Sequence, residues 1–214
     1  MRAMGSSQPA AETTQIIETL KRSAAALRDA EVPFALAGSV ACWARGGPAP
    51  YNDVDFAVRE QDGERGLQAL VDAGMRPERP PEGWLVKAWD DDVLVDLIWD
   101  FSGLPAVDEL LSRSEELSVQ AQPLPVMALD DVVVSQLCAM DEHALNFAAP
   151  LAIARALREQ IDWRAVRGRT AHSPYARGFF TMLEALGIVE PADATRPVEH
   201  ARGAAPSVRV VGEG

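Results

Sequence analysis

The spacing of apolar residues changes along this chain, and that change limits the folds the chain can adopt. Before residue 130, short apolar runs alternate between two faces, a pattern typical of strands. After residue 130, apolar residues recur about every 3.6 positions, which is typical of helices. The predicted strands are 34–37, 53–58, 84–89 and 93–99, with a last strand within 117–127. We therefore predict an α+β fold in which the strands form one sheet and a helical segment follows from about 130 to 187.

Helices are predicted wherever an amphipathic pattern lies between capping or breaking residues. The first should begin at Thr13 or Thr14 and the third at Asp62, with Gly74 closing the third. The first helix should bury an apolar face made of Ile16, Ile17, Leu20, Ala24 and Leu27. The predicted helices are 11–29, 40–45, 62–73, 107–113, 132–140, 147–161 and 174–186.

A chain of 214 residues is close to the size at which a single core stops growing. We predict a core over 1–128, a helical part over 129–190 and a flexible tail over 191–214, which is rich in Pro, Ala and Gly. No apolar run approaches the ~18 residues of a membrane helix, and the first residues lack the apolar stretch of a secretory signal. These features predict a cytoplasmic protein that has no membrane partner.

The net charge of the chain and its few lysines argue against general DNA binding and against a Walker-type nucleotide site. A net charge of −12 repels polyanions, so general DNA binding is not expected. Lysine occurs only at Lys21 and Lys87, and no Gly-Lys-Ser/Thr is present, which excludes a Walker-type phosphate loop. Cys42 and Cys138 lack the spacing of metal ligands and are predicted to be small buried residues.

Two pairs of aspartates have the spacing Asp-x-Asp. Asp53 and Asp55 lie on a predicted strand, where they point to the same face and repel each other unless a cation or a basic group lies between them. An exposed strand face with two solvated charges is the other interpretation. Asp90 and Asp92 lie in an acidic turn, where solvated charge is a sufficient explanation.

Two further features favour a site at the first pair. Gly38-Ser39 opens a helix directly after a strand, so it offers backbone N–H groups and a hydroxyl to a phosphate. Asp96 adds a carboxylate to the strand face that carries Leu94 and Ile98, where an unpaired charge would be costly. A phosphate cradle with three oxygen ligands is the arrangement that metal-dependent phosphoryl chemistry needs.

These motifs, over about 33–100, resemble those of the nucleotidyltransferase superfamily, which includes DNA polymerase beta, antibiotic nucleotidyltransferases and small bacterial toxin or antitoxin nucleotidyltransferases. A looser similarity extends to 188. The resemblance implies a mixed sheet that carries the three carboxylates, helices packed behind it and a helical C-terminal part that closes a cleft.

The resemblance also implies a role for each residue. Gly38 and Ser39 would bind the triphosphate, Asp53 and Asp55 would bind two metal ions, and Asp96 would bind the catalytic metal and the attacking hydroxyl. The implied reaction transfers a nucleoside monophosphate from a nucleoside triphosphate to an acceptor hydroxyl and releases pyrophosphate, with Mg²⁺ or Mn²⁺ as cofactor. The acceptor, in a bacterial cytoplasm, is a small molecule, a protein or an RNA.

The chain departs from this family pattern on the first helix after the sheet. Several relatives have a phosphate-holding lysine there, whereas this chain reads Val134-Ser135-Gln136-Leu137. Arg155 or Arg158 would substitute for that lysine or would form surface ion pairs. The alternative function is therefore a catalytically inactive regulatory or protein-binding partner, as in a toxin–antitoxin pair.

The segment Asp141-Glu142-His143-Ala144-Leu145-Asn146 has two interpretations. Glu142 and Asn146 would share a helix face, with His143 as an acid–base group near the cleft. Alternatively, the segment is a solvated turn between two helices.

Overall fold

The structure, a computed structural model, describes residues 8–50 and 53–191. Strands and helices are interspersed in the first part of the chain, and helices follow. The elements are α1 (Gln8–Asp29), β1 (Phe34–Leu36), α2 (Gly38–Ala44), β2 (Asp53–Val58), α3 (Glu60–Asp72), β3 (Arg76–Glu78), β4 (Leu85–Asp90), β5 (Val93–Ile98), α4 (Val107–Ser112), β6 (Glu115–Val119), β7 (Gln122–Val126), α5 (Leu129–Cys138), α6 (Ala148–Leu157), α7 (Trp163–Arg169) and α8 (Pro174–Ala185).

The described strands form one mixed seven-stranded sheet in the order β3-β4-β5-β2-β1-β7-β6. Strand β2 runs parallel to β5, and β1 runs parallel to β7. The other neighbouring strands are antiparallel. The predicted α+β fold, with a sheet followed by a helical segment, is confirmed.

Helices α1 and α3 cover one face of the sheet. Four of the five residues predicted to form the apolar face of α1 are buried, namely Ile16, Leu20, Ala24 and Leu27, whereas Ile17 is only half-buried. Gly66 of α3 packs so tightly that an added Cβ would lie 2.9 Å from Leu97 of β5 and 3.2 Å from Leu27. Because side chains alternate along a strand, the neighbours of Leu97 on β5 point to the opposite face of the sheet.

The solvated-turn interpretation of Asp90 is wrong. The hairpin turns at Asp91 and Asp92, which are exposed, but Asp90 pairs with Val93 and is itself buried. Its carboxylate accepts hydrogen bonds from the hydroxyl of Thr19 at 2.7 Å and the guanidinium of Arg22 at 2.6 Å. Helix α1 supplies both donors, and a long-range contact of this kind leaves no local signal in the sequence.

Three element predictions also need correction. Strand β3 lies between the predicted helix 62–73 and the predicted strand 84–89, where no element was predicted, and its pairing with β4 forms it. The single strand predicted within 117–127 is the β6–β7 hairpin, which turns at Gln120 and Ala121 with φ of 52° and 62°. Neither turn residue is glycine or asparagine, so the sequence carried no turn signal. The helix predicted over 147–161 ends at Leu157, and α7 follows after Asp162, whose side chain accepts hydrogen bonds from the first turn of α7.

Two predicted caps are also wrong. Helix α1 begins at Gln8, so Thr13 and Thr14 lie inside the helix. Helix α3 begins at Glu60, and Asp62 in its first turn pairs with Arg65 at 2.7 Å. In both cases the helix begins N-terminal to the predicted capping residue, so that residue lies within the helix and does not cap it.

The division into 1–128, 129–190 and 191–214 stays a prediction, and almost all of the last segment lies outside the described residues. Within the part of the chain that the structure describes, no helix has both the length and the apolar composition needed to cross a membrane.

Candidate active site

Three aspartates lie together on the sheet face opposite α1 and α3. Asp55 of β2 is the direct cross-strand partner of Asp96 of β5. Asp53 precedes Asp55 by two positions on β2, so it points to the same face. Asp53 and Asp55 are partly open to solvent, whereas Asp96 is buried. The fold therefore brings Asp96 next to Asp53 and Asp55, from which it is distant in sequence.

The start of α2 approaches these carboxylates closely because residue 38 is a glycine. Gly38 has a φ of +54°, and a Cβ added there would collide with the carboxylate of Asp55. The backbone is tied at the same point, since the N–H of Ala37 donates to the carbonyl of Asp55 at 2.9 Å. Ser39 follows, and its buried hydroxyl has no hydrogen-bond partner. An unpartnered buried hydroxyl beside a cleft indicates a group that pairs with a ligand.

Lys87 is a site residue that sequence analysis missed. It lies on β4 directly opposite Asp96, and its Nζ is 3.0 Å from Oδ1 and 3.1 Å from Oδ2 of that carboxylate. The signal was present in the hairpin. A turn of two residues pairs Asp90 with Val93 and therefore, three positions further along each strand, Lys87 with Asp96.

Burial and mutual repulsion shift the acidity of the three aspartates. Burial, and then the charges of Asp53 and Asp96, raise the pKa of Asp55 well above its usual range. The pKa of Asp53 is raised by burial and by the charge of Asp96. Burial also raises the pKa of Asp96, although Lys87 opposes that shift. A group of carboxylates that resist ionisation together is stabilised by any cation placed among them.

Asp53 and Asp55 open into a cleft of about 500 Å³, whereas the buried Asp96 lies behind them and is not among its lining residues. Gly38 and Ser39 lie in its wall, with Asp53 and Asp55, and helices α5 and α6 close the opposite side. No lysine or arginine is among the described residues that line it. Its other lining residues are Cys42, Pro48, Ala49, Trp84, Ile98, Asp100, Phe101, Ser102, Met127, Val132, Ser135, Gln136, Ala139, Ala149, Ala152 and Ile153.

Gln136 lies on α5, in the segment where several relatives have a lysine. Its side chain lines the cleft, and its amide oxygen is buried without a hydrogen-bond partner. Arg155 and Arg158 do not take the place of that lysine, because neither lines the cleft and both are exposed. Arg158 instead pairs with Glu159 at 2.7 Å, as its surface-pair interpretation predicted. The nearest polar substitute for the lysine is therefore a neutral amide.

The segment around His143 is a solvated loop between α5 and α6. The side chains of His143 and Glu142 are 86% and 77% exposed, and neither lines the cleft. The backbone N–H of His143 donates to the side chain of Asp141 at 2.7 Å, which fixes a local turn. The acid–base interpretation has no support in this geometry.

The two cysteines differ in burial. Cys42 is buried, as predicted, and lines the cleft, and burial raises the pKa of its thiol to about 12. Its thiol is therefore protonated at neutral pH and behaves as a small apolar group. Cys138 is only partly buried.

Comparison with known protein families gives a match over most of the chain. A family model described as an uncharacterised nucleotidyltransferase matches residues 8–186. The chain belongs to this nucleotidyltransferase family. The reaction class of the family is the transfer of a nucleoside monophosphate. A comparison with curated proteins finds no match.

Solved structures of an antibiotic-resistance nucleotidyltransferase have a similar fold. The solution structure of the antibiotic-resistance factor ANT(2'')-Ia is 15% identical, covers 82% of this chain and 98% of its own, and has a TM-score of 0.57. The crystal structure of ANT(2'')-Ia in complex with adenylyl-2''-tobramycin is 14% identical, covers 78% and 97% of the two chains, and has a TM-score of 0.58. At these identities the likeness concerns the fold.

The donors of this nucleotidyltransferase fit divalent cations in their chemistry. Carboxylate oxygens are preferred by Mg²⁺ and Mn²⁺, and the mutual repulsion of Asp53, Asp55 and Asp96 favours a cation between them. Among the described residues, however, no three acidic, histidine or cysteine side chains already stand in an arrangement that could hold a metal ion. Lys87 lies against Asp96, so the side chains must readjust before a cation can be shared.

Proposed function

We propose that this nucleotidyltransferase transfers a nucleoside monophosphate from a nucleoside triphosphate to a hydroxyl group of a small molecule, with Mg²⁺ or Mn²⁺ as cofactor. One observation carries the proposal: the register of β2 and β5 aligns Asp55 with Asp96 directly beside the close approach of Gly38 and the unpartnered hydroxyl of Ser39. This combination offers cation ligands and a phosphate contact in one cleft.

The residues of the site have separate roles in the proposed reaction. Asp53, Asp55 and Asp96 would hold the cations, which supply charge stabilisation to the triphosphate and the leaving group. The hydroxyl of Ser39 and the backbone at Gly38 contact the phosphates. Asp96 orients the acceptor hydroxyl and takes its proton as the acceptor oxygen bonds to the α-phosphorus. The bond from the α-phosphorus to the bridging oxygen breaks, and pyrophosphate leaves.

The cleft supports a small acceptor without negative charge. A volume of about 500 Å³ lies within the usual range of small-molecule sites, roughly 300–1,000 Å³. Its acidic lining residues are Asp53, Asp55 and Asp100, which repel an RNA end or a phosphorylated acceptor. Apolar side chains of Trp84, Ile98 and Phe101 line the same cleft and suit a flat or aliphatic group.

The test is release of pyrophosphate from each of the four ribonucleoside triphosphates with Mg²⁺. Acceptors in the panel include aminoglycosides such as tobramycin, because the structure of ANT(2'')-Ia contains an adenylylated tobramycin. Asp96→Asn should reduce turnover by at least 100-fold while leaving nucleotide affinity near that of the wild type. Asp53→Asn should weaken Mg²⁺-dependent nucleotide binding as well as turnover.

Asp92→Asn is the matched control, because Asp92 is an exposed aspartate at the turn between β4 and β5. It should leave both binding and turnover unchanged. Equal behaviour of all three variants would contradict the proposal.

The alternative function is a catalytically inactive regulatory or protein-binding partner. It is favoured by the absence of lysine and arginine among the described residues of the cleft wall. It predicts that no nucleoside triphosphate binds, with or without metal, to protein that is well folded. Calorimetry with Mg²⁺ and each triphosphate separates the two functions.

A further inference from the structure

Four charged residues form one row across the strands β3, β4, β5 and β2. Glu78 pairs with Lys87, Lys87 pairs with Asp96, and Asp96 pairs with Asp55 in the registers of these strands. Residues directly opposite each other share a face of the sheet and lie within contact distance. Lys87 is therefore the one basic residue in a row of carboxylates, and it lies next to the aspartate that the proposed function assigns to the acceptor hydroxyl.

The contact between Lys87 and Asp96 engages the whole carboxylate. Nζ of Lys87 lies 3.0 Å from one oxygen and 3.1 Å from the other. The two side chains are only 22% and 11% exposed, so water competes little for the contact. A cation that binds Asp96 must therefore displace Lys87 or share the carboxylate with it.

We propose that Lys87 is a positioning residue: a built-in counter-ion that holds Asp96 in the metal-free protein and gives up that carboxylate when a divalent cation binds. The inference rests on the proposed function, since it concerns the same metal site. It explains how three carboxylates coexist in the fold without a cation. It also makes Lys87 a competitor that a metal ion has to overcome.

A second carboxylate is available to the released Lys87. Glu78 lies directly opposite it on β3. One oxygen of Glu78 accepts a hydrogen bond from the indole N–H of Trp89 at 2.7 Å, which holds the side chain in place. Lys87 can therefore turn from Asp96 to Glu78 within the same row, and its charge stays paired in both states.

The first experiment measures Mn²⁺ affinity at about pH 8 by electron paramagnetic resonance, without nucleotide. A unit charge about 6 Å from a divalent ion opposes binding by about tenfold even in a water-like dielectric. Lys87→Met should therefore bind Mn²⁺ about tenfold more tightly than the wild type. Lys21→Met is the matched control, because Lys21 is the other lysine of the chain and pairs with the exposed Glu18 on α1.

The second experiment uses the wild-type protein, so it does not depend on the folding of a variant. A chain with two lysines allows the acylation rate of each to be followed by mass spectrometry, with Lys21 as the internal reference. Lys87 should react more slowly than Lys21 without metal. Saturating Mn²⁺ should raise the rate at Lys87 and leave Lys21 unchanged, because Lys87 then exchanges its contact with the buried Asp96 for one with the partly exposed Glu78.

The outcomes separate this inference from the proposed function. Equal Mn²⁺ affinity in wild type and Lys87→Met, or an acylation rate at Lys87 that Mn²⁺ does not change, overturns the inference and leaves metal-dependent transfer intact. Absence of Mn²⁺ binding in all three proteins overturns both. Tighter binding in Lys87→Met together with a wild type that transfers no nucleotide supports the inference and overturns the proposed function.

Discussion

The raised pKa of Asp55 makes the free energy of unfolding of the metal-free protein depend on pH. Burial and the charges of Asp53 and Asp96 raise its pKa in the folded state above the ordinary 3.8 of the unfolded chain. A carboxyl whose pKa is raised by folding favours the folded state when it is protonated. This contribution is fully present below 3.8 and is lost as the pH rises through the raised value.

We therefore expect Asp55→Asn to stabilise the metal-free protein at neutral pH. The gain should be absent below the ordinary pKa of 3.8, should grow as the pH rises above that value and should level off once the pH exceeds the raised pKa. Urea unfolding with a chelator as a function of pH measures it. Saturating Mn²⁺ should stabilise the wild type more than the variant. A parallel pH dependence of the two proteins would contradict the electrostatic account.

Gln136 leads to a second prediction at the scale of the residue. Its buried amide oxygen lacks a partner and faces the cleft, so a substrate N–H or O–H should satisfy it. Replacing Gln136 by Leu should raise KM roughly 2- to 10-fold, the equivalent of one hydrogen bond. Unfolding free energy should stay level or rise, since an unpaired polar atom is removed.

The matched control for Gln136 is Gln68→Leu on the surface of α3, where Gln68 bonds to Asp72 at 2.8 Å. It should leave KM unchanged. A large loss of stability in Gln136→Leu with unchanged KM would assign Gln136 a packing role.

At the scale of the element, ion pairs of Asp131 connect helix α5 to the residue that follows α4 and to the end of α7. It lies in the first turn of α5 and its side chain is 2% exposed. One oxygen accepts from Arg113, just after α4, at 2.9 Å, and the other accepts from Arg169 at the end of α7 at 2.6 Å. Because α5 also carries Gln136, this ion pair network positions one wall of the cleft.

Asp131→Asn should lower the unfolding free energy by about 1.5–3 kcal/mol, because it weakens the hydrogen bonds of a buried carboxylate to two partly exposed arginines. Glu109→Gln is the control on the same arginine, since Glu109 pairs with Arg113 at 3.0 Å on the surface. It should cost less than about 1 kcal/mol. Urea unfolding of both variants measures the difference, and equal losses would show that the burial of Asp131 has no consequence.

At the scale of the whole molecule, charge makes nucleotide binding depend on metal. The chain has a net charge of −12, and no lysine or arginine is among the described residues that line the cleft. A triphosphate is therefore repelled unless a cation accompanies it. ATP alone should leave the melting temperature unchanged.

ATP with Mg²⁺ at about a hundredfold excess over Kd should raise the unfolding free energy by about 2.7 kcal/mol. Thermal melts with and without a chelator measure both conditions. The control is Asp53→Asn, which should lose most of the shift. Stabilisation by ATP in the presence of the chelator would contradict a metal-dependent site.

The sequence by itself determined the elements whose pattern is local. Strand β2 was predicted at 53–58 because Asp53 and Asp55 alternate with apolar residues there, and α8 because its apolar spacing is regular. The candidate residues Gly38, Ser39, Asp53, Asp55 and Asp96 came from local motifs and a family resemblance, and their chemical roles stay predictions. Local spacing is sufficient for these features because each depends on residues a few positions apart.

Only the tertiary structure decided what depends on contacts between distant segments. Strand β3 exists because β4 pairs with it, and Asp90 is buried because α1 packs over it. Two further interactions form only in the assembled fold. They are the contact of Lys87 with Asp96 and the ion pairs of Asp131 with two arginines. From the sequence alone, a charged residue is expected to be exposed to solvent. The burial of these residues depends on partners that lie from 9 to 71 positions away along the chain, so local sequence does not predict it.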